Sequence, residues 1–590
     1  MFVNLFFKRV KGNPILQMPA GFQSVILLSV FIAFSNLYGQ SNPFPLPDGF
    51  PRMEVTGHTQ NPEGYYFFNN FHLSVSPDSA WLMILDTTGF PIYYKMLHGF
   101  YSNFTLQPET GTLTYFSRVD TLFHEMDSSY TEINTYSAKN GFITDGHELL
   151  LKADGSYWIL GQDIRIVDMS VLVEGGNPEA HVIGMTIQHI DANDSVLFEW
   201  NTWNHFDIFD ADTTIVNFTN PKIDYAHCNA LDIVDDTTIL LSSRAMNEIT
   251  KINTNTGDII WRWGGKHNEF TCLNDTVPFL TQHHIRYLGN ENYSLFDNGN
   301  LALRPWSRAL VYNMDEVNKT TTVIHDFRRG EADFSRVMGS NQLLPNGNYQ
   351  VGWSFNNQRN AVSEFNDSGT IVFEMRSVDT LALISYRALK FEWETNIFDF
   401  DRDTLDFEAP VVLGDSAVMQ LSVTNKQPTD LVLNESYVTD SSFRLVTPLP
   451  IIISSGETIT VDVSFSPDSS KYYSAVLSLL NSNDTTRFGK QVRLTGSGEF
   501  TGIASHSATQ HQLTLYPNPA KDILFVKMSN KGSTIKAITV YDLAGRSVLT
   551  QEGINKHGLC IMNVSLLQSG TYIIKVQYSG GVEVARLMVQ

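Results

Sequence analysis

The sequence predicts an all-β chain of several domains: a six-bladed β-propeller, then a β-sandwich, then a second and smaller sandwich. Three observations carry this. Strand-length apolar runs alternate with turn chemistry along most of the chain, with no sustained helical period. One strand–turn–strand pattern recurs at an interval that suits one four-stranded sheet per copy. At 590 residues the chain exceeds the roughly 250 to 300 residues at which single cores stop growing.

The recurring pattern is an apolar strand, an Asx turn and a second apolar or aromatic strand. It reads ILDTTGFPIYY at Asp86, HEMDSSYTEI at Asp127, HIDANDSVLFEW at Asp191, KINTNTGDIIWRW at Asn253, YNMDEVNKTTTVI at Asp315 and EFNDSGTIVFEM at Asn366. Between these copies lies a second hairpin with its own turn, as in LLLKADGSYWILG and LDIVDDTTILLSS. Two hairpins per unit make a blade, and the copies place the propeller over residues 40–398. Residues 400–499 change texture, with short alternating strands (AVMQLSVTN, ETITVDVSFSP, KQVRLTGSGEF) and few aromatics. That is the pattern of an immunoglobulin-like sandwich. A small polar linker over 500–510 leads to a last sandwich over 511–590, marked by tight Asn-Pro and Ser-Gly turns.

The amino-terminal forty residues carry Lys8, Arg9 and Lys11, then the ten-residue apolar stretch from Val25 to Phe34, then Leu37-Tyr38-Gly39 before Gln40. This is the layout of a secretory signal over 1–39. Ten residues are too few for a bilayer span, which needs about 20, and no other stretch is long enough, so no membrane span is expected once the leader is removed. The formal charge of −22 offers no basic footprint for nucleic acid. Any anionic substrate must therefore be held by a few local cations. The three cysteines, Cys228, Cys272 and Cys560, form neither a disulfide framework nor a CxxC metal motif; a Cys228–Cys272 bridge stays open.

The chemistry-bearing residues emerge from register. His147 lies seven residues before the turn at Asp154, His227 eight before Asp235 and His283 seven before Asn290. Equal register in successive blades means equal height, so the three imidazoles gather at one end of the channel. A residue as far beyond the turn returns to the same end, which adds Arg244 opposite His227, and Asp297 and Asn298 opposite His283. Strand alternation aims Asn229 with His227, and turns Cys228 and His284 away. Three histidines suit zinc or copper, but a fixed guanidinium beside them disfavours a cation and favours an oxyanion. No metal is expected. Trp306, Trp353 and Phe355 suit an aryl group, although packing accounts for each.

The segments DGHELLLKADGSYWILG, HCNALDIVDDTTILLSSRAMNEITKINTNTGDIIWRWGG, QHHIRYLGNENYSLFDNGN and RPWSRALVYNMD resemble, in order, the PAPS-independent bacterial aryl-sulfate sulfotransferases. The resemblance implies a six-bladed propeller and ping-pong transfer of a sulfuryl group from a phenolic sulfate ester to a phenol through a sulfohistidine, with no cofactor. It makes His283 the nucleophile, and His147, His227 and Arg244 further catalytic residues. Asn229, Asn298 and Ser340 become substrate-binding residues. The family's late Lys-Thr pair falls on Met338-Gly339-Ser340, which lacks the lysine; Arg308 or Arg336 is the candidate substitute. The 400–499 region resembles Hydin-type or choice-of-anchor modules, for which a spacer role is expected. The elements YPNP, YDLAG and LQSGTY resemble the sorting domain of type IX secretion. That resemblance implies contact with the secretion machinery, and release or display at the outer surface of a Gram-negative cell.

Two other classes remain. A non-catalytic propeller that binds glycans or proteins fits the fold but has no need of three channel-facing imidazoles. A quinoprotein-like dehydrogenase is suggested only by NTNTGDIIW, a hairpin generic to propellers.

Overall fold

The computed structural model describes residues 46–58, 64–70, 80–330, 333–378, 384–500, 513–528, 534–579 and 581–590. The leader expected over 1–39 and most of the linker expected over 500–510 lie outside them. The fold is all-β: among the described residues there is no α-helix, only four single-turn 3-10 segments. Contacts divide the chain into two units, 1–498 and 499–590.

In the first unit six sheets follow one another along the chain, each with four antiparallel strands at its centre. Five of them start from β1 (Tyr101–Gln107), β2 (Ile143–Leu151), β3 (Cys228–Asp235), β4 (His283–Gly289) and β5 (Ser340–Leu343). The sixth starts from β6 (Leu389–Phe391), a late strand that pairs with the early strand Tyr65–Asn70. Each of β1 to β5 packs against the next, β5 packs against β6, and Tyr65–Asn70 packs against β1. The first strands therefore form a closed ring, fastened where the two ends of the unit pair.

The six Asx residues of the repeat all sit between the third and fourth strands of their sheets. Each carboxylate or amide oxygen accepts a backbone N–H two to four residues on, as in Thr88 N to Asp86 Oδ1 at 2.8 Å and Thr370 N to Asn366 Oδ1 at 2.9 Å. Such turns need a short side-chain acceptor, which explains the repeated Asp or Asn. Middle strands such as Ala80–Leu85 and Asn360–Phe365 are buried at every position, because neighbouring sheets cover both faces.

Residues 398–499 follow a different rule. Thr458–Phe465 alternates buried and open positions, and its inward side chains join a core with Phe407, Phe443, Phe465 and Tyr473. This region is joined to the ring by hydrogen bonds: Thr486–Phe488, at the start of the long strand Thr486–Glu499, pairs antiparallel with Tyr93–Lys95. Phe90 stacks on Tyr437 with centroids 4.8 Å apart, and Gln491 Nε2 donates to Asp86 Oδ2 at 2.8 Å.

The second unit has its own core, in which Leu524, Val526, Ile538, Val540, Ile574 and Val576 are fully buried between a three-stranded and a four-stranded sheet. The cysteines are unbridged: Cys228 and Cys560 are buried, and Cys272 is half-buried.

Candidate active site

His227 stands just before the start of β3 and His283 at the start of β4, whereas His147 stands midway along β2; the local backbone around the cluster is unusual. His227, Thr281, His284 and Met338 have φ of 46°, 51°, 55° and 68°. L-residues rarely adopt such values, and they persist where the surroundings over-determine them. The excursion at His227, with a register shift between Cys228 and Ala230, interrupts strand alternation. Asn229 accordingly takes its own direction: it is fully buried and its Nδ2 donates to Gln282 O at 2.7 Å, while its Oδ1 has no partner.

His283 is held at both nitrogens. Asn298 spends its amide N–H groups on Ser335 O and Met338 O, each at 2.8 Å, so its Oδ1 is left to accept the His283 Nδ1 proton at 2.7 Å. That fixes the tautomer, with a lone pair on Nε2, which accepts the Met338 N–H at 3.1 Å. Burial, reinforced by the Arg244 charge, holds the His283 pKa well below the usual histidine value. The ring is a neutral imidazole.

The other two histidines are built as imidazole–carboxylate pairs. His147 Nδ1 lies 2.5 Å from Asp145 Oδ1, and Gln162 Nε2 donates to Asp145 Oδ2 at 2.8 Å. His227 Nδ1 lies 2.6 Å from Asp224 Oδ2. Burial alone would lower the His147 pKa, but the Asp145 charge and hydrogen bond outweigh it and raise the value. The two rings meet edge to face with centroids 5.1 Å apart. Their side chains keep 27% and 29% exposure, against 2% for His283. They form the open side of the cluster.

Arg244 joins them through the backbone, its N–H donating to His227 O at 3.1 Å. Burial lowers its pKa, Asp224 opposes this and Arg336 adds to it. Its guanidinium makes no ion pair among the described residues, and its Nε is buried without a partner. An uncompensated buried guanidinium is costly unless an anion arrives to meet it.

Other sequence candidates fall elsewhere. Ser340 is fully buried and its hydroxyl donates to Ala388 O at 2.8 Å, so it is committed to the backbone. Asp297 is paired with Arg304 and Arg308. Arg308 is fully buried among Asp297, Asp275 and Asp326, so it has no charge to offer the cluster. Arg336 is exposed, in the stretch between Ser335 and Met338 that wraps Asn298. Trp306 is flanked by Arg304 and Arg328, and Trp353 packs on Phe296. His284 Nδ1 accepts the Asn341 N–H at 3.3 Å.

A cavity of about 260 Å³ opens beside the cluster, walled by His147, Met338, Phe100, Phe116, Arg118 and Tyr386 among others. Tyr386 sits 5.4 Å from His147, centroid to centroid, and its hydroxyl donates to Asn229 O at 2.6 Å. Its neighbour Arg387 forms a two-armed pair with Glu148 at 2.6 and 2.7 Å, both side chains 3% exposed. Arg286 reaches the same carboxylate at 3.0 Å. Asp145 and Asp224 carry a local signal, Asp-x-His and Asp-x-x-His, that spacing arguments passed over. Tyr386 and Arg387 carry none, because they follow the last repeat.

The all-β fold thus brings together a neutral, anchored histidine and an arginine without an ion-pair partner among the described residues. Residues 110–378 match the family model described as Arylsulfotransferase (ASST). Residues 514–590 match the secretion system C-terminal sorting domain, the type IX signal. No curated protein matches the chain. Among solved structures it is similar to a protein of unknown function from Bacteroides caccae, at 9% identity over 56% of this chain and 99% of that one, TM-score 0.35. It is also similar to virginiamycin B lyase from Staphylococcus aureus, at 10% identity over 56% and 90%, TM-score 0.29. A third is the ASH / PapD-like domain of human CEP192, at 15% identity over 18% and 87%, TM-score 0.15. At these distances no role is taken from them.

Proposed function

We propose that residues 40–398 are a six-bladed β-propeller that moves a sulfuryl group from a phenolic sulfate ester to a phenol, in ping-pong fashion, through a sulfohistidine at His283 and without a nucleotide donor. The observation that carries this reading is the anchoring of the ring nitrogens: His283 is fixed by the neutral amide oxygen of Asn298 with its Nε2 lone pair available to attack, His147 is paired with the Asp145 carboxylate, and Arg244, joined to His227, has no ion-pair partner among the described residues.

The steps follow from that anchoring. His283 Nε2 attacks the ester sulfur in line; the N–S bond forms and the S–O bond to the departing phenol breaks. Protonated His147 gives its proton to the leaving phenolate. Arg244 and His227 hold the non-bridging oxygens, where charge gathers. Asn298 keeps the imidazole in the attacking tautomer, and Asn229 braces Gln282, the residue before it. The Met338 N–H yields its place on Nε2 as sulfur approaches. A second phenol then enters, neutral His147 takes its proton, the new phenolate attacks sulfur, and the N–S bond breaks to restore His283.

A chromogenic phenyl sulfate with a phenol acceptor tests this directly. The protein should release the donor phenol, the His283 peptide should gain the mass of a sulfuryl group, and His283→Asn should abolish both. Unchanged turnover in that variant overturns the assignment. In the same reading residues 400–499 are an immunoglobulin-like domain, and the pairing of Thr486–Phe488 with Tyr93–Lys95 argues for a brace of the propeller over the passive spacer expected from the sequence. The leader over 1–39 takes the chain through the inner membrane, and the sorting domain delivers it to the outer surface of a Gram-negative cell. Among the described residues no helix is long and apolar enough to cross a membrane.

A further inference from the structure

We propose that the phenol accepted by this site carries a second, anionic group, such as a ring carboxylate, and that Arg118 selects for it; this rests on the sulfuryl-transfer reading and names its substrate class. The cavity beside His147, at about 260 Å³, is below the roughly 300 to 1,000 Å³ usual for drug-sized ligands and suits one ring with a substituent. Phe100, Phe116 and Tyr386 give it aromatic walls, and half-exposed Ile143 adds apolar surface. A ring is the natural occupant.

The charged groups of the lining are Asp145, His147 and Arg118. The first two neutralise each other: Asp145 receives the His147 ring and backbone N–H groups on one oxygen and the Gln162 amide on the other. Arg118 has no such partner. Its guanidinium lies over the Phe100 ring, 5.2 Å from the centroid, and its backbone N–H donates to Phe100 O at 3.0 Å. Among the described residues no carboxylate pairs with it. The nearby acid Asp120 is engaged with His124 at 3.0 Å instead. In a chain with 62 acidic against 40 basic side chains, a guanidinium steadied on a ring at the wall of a cavity, with no carboxylate to answer it, is placed to receive a ligand's anion. Its planar fork of N–H groups fits a carboxylate or sulfate in two-armed fashion.

The test compares 4-hydroxybenzoate with its neutral analogue 4-hydroxybenzamide as acceptors for one chromogenic phenyl sulfate, in the full chain and in Arg118→Met. The native chain should favour the carboxylate, and the ratio of the two kcat/KM values should fall by up to roughly fivefold in the variant, the loss expected for one exposed ion pair. Equal use of the two acceptors by the native chain, or an unchanged ratio in Arg118→Met, overturns the proposal. Calorimetric binding of 4-hydroxybenzoate to His283→Asn, with and without Arg118→Met, reads the same contact without turnover. Weaker binding in the double variant supports Arg118, and equal binding overturns it. Absence of transfer with every phenyl sulfate would instead fail the sulfuryl-transfer reading, and the binding arm would still decide the role of Arg118.

Discussion

The oxygen nearest each histidine decides what that histidine can do. Asn298 offers an uncharged acceptor and leaves His283 neutral, whereas Asp145 offers a charge and pulls His147 toward the imidazolium. Opposite shifts in neighbouring groups are how acid and base roles are divided at one pH. A pH profile should record the division. His283 stays neutral well below 6.5, so it sets no limit near neutrality. In the proposed mechanism His147, its pKa raised above 6.5, supplies the proton that releases the first phenol. Turnover with poor leaving groups should therefore hold through neutral pH and fall as pH climbs past the raised value. In Asp145→Asn the raising charge is gone, and the alkaline limb should move toward acid; a limb that stays put would remove Asp145 from this role. The sign for stability is the same: the His147 contribution is fully present below 6.5 and is lost as pH rises through the raised pKa. The Asp145 contribution, with its pKa lowered from 3.8 by the histidine against the opposing effect of burial, is present above 3.8 and lost as pH falls through the depressed value.

Strands carry the next level of organisation, and the strand Thr486–Glu499 ties the sandwich region to the ring. Its first residues pair with Tyr93–Lys95, and Tyr94 Oη donates to Asn483 O at 2.7 Å. Ending the chain at residue 398 would strip that partner from Pro91–Leu97 and uncover Phe90, and such an open apolar edge invites association. The shortened chain should aggregate or melt well below one ending at Gly498, as light scattering and thermal unfolding would register; equal behaviour would make the sandwich a passive spacer. This join was not legible in the sequence, since nothing local in Thr486–Phe488 names a partner some four hundred residues away. The repeat was legible because each Asx turn is a local necessity. The position of Arg244 was legible for a related reason: a two-stranded hairpin returns the chain to its starting end, and the Arg244 N–H meets His227 O. Register misled where the backbone left the β region, as at His227, which sent Asn229 toward Gln282. It was silent on Tyr386 and Arg387, which come from beyond the repeat and meet the site only through closure of the ring.

For the molecule as a whole, the division into 1–498 and 499–590, each with its own core, separates chemistry from delivery. A chain ended at Gly498 should turn over phenyl sulfate at the rate of the full chain, measured on the two proteins side by side; a large loss would tie the sorting domain to the site. Within the first unit, the buried Glu148–Arg387 pair with Arg286 ties β2, β4 and the stretch just before β6 together next to His147. Losing one partner of such a pair costs about 3–5 kcal/mol, so Arg387→Met should lower the thermal unfolding temperature of this unit well below that of the native chain. In the proposed reaction, donor and acceptor both approach from the side of the cluster where His147 and His227 stay partly exposed. On that reading the first phenol has to leave before the second takes its place, and the sulfuryl group waits on the histidine between the two visits.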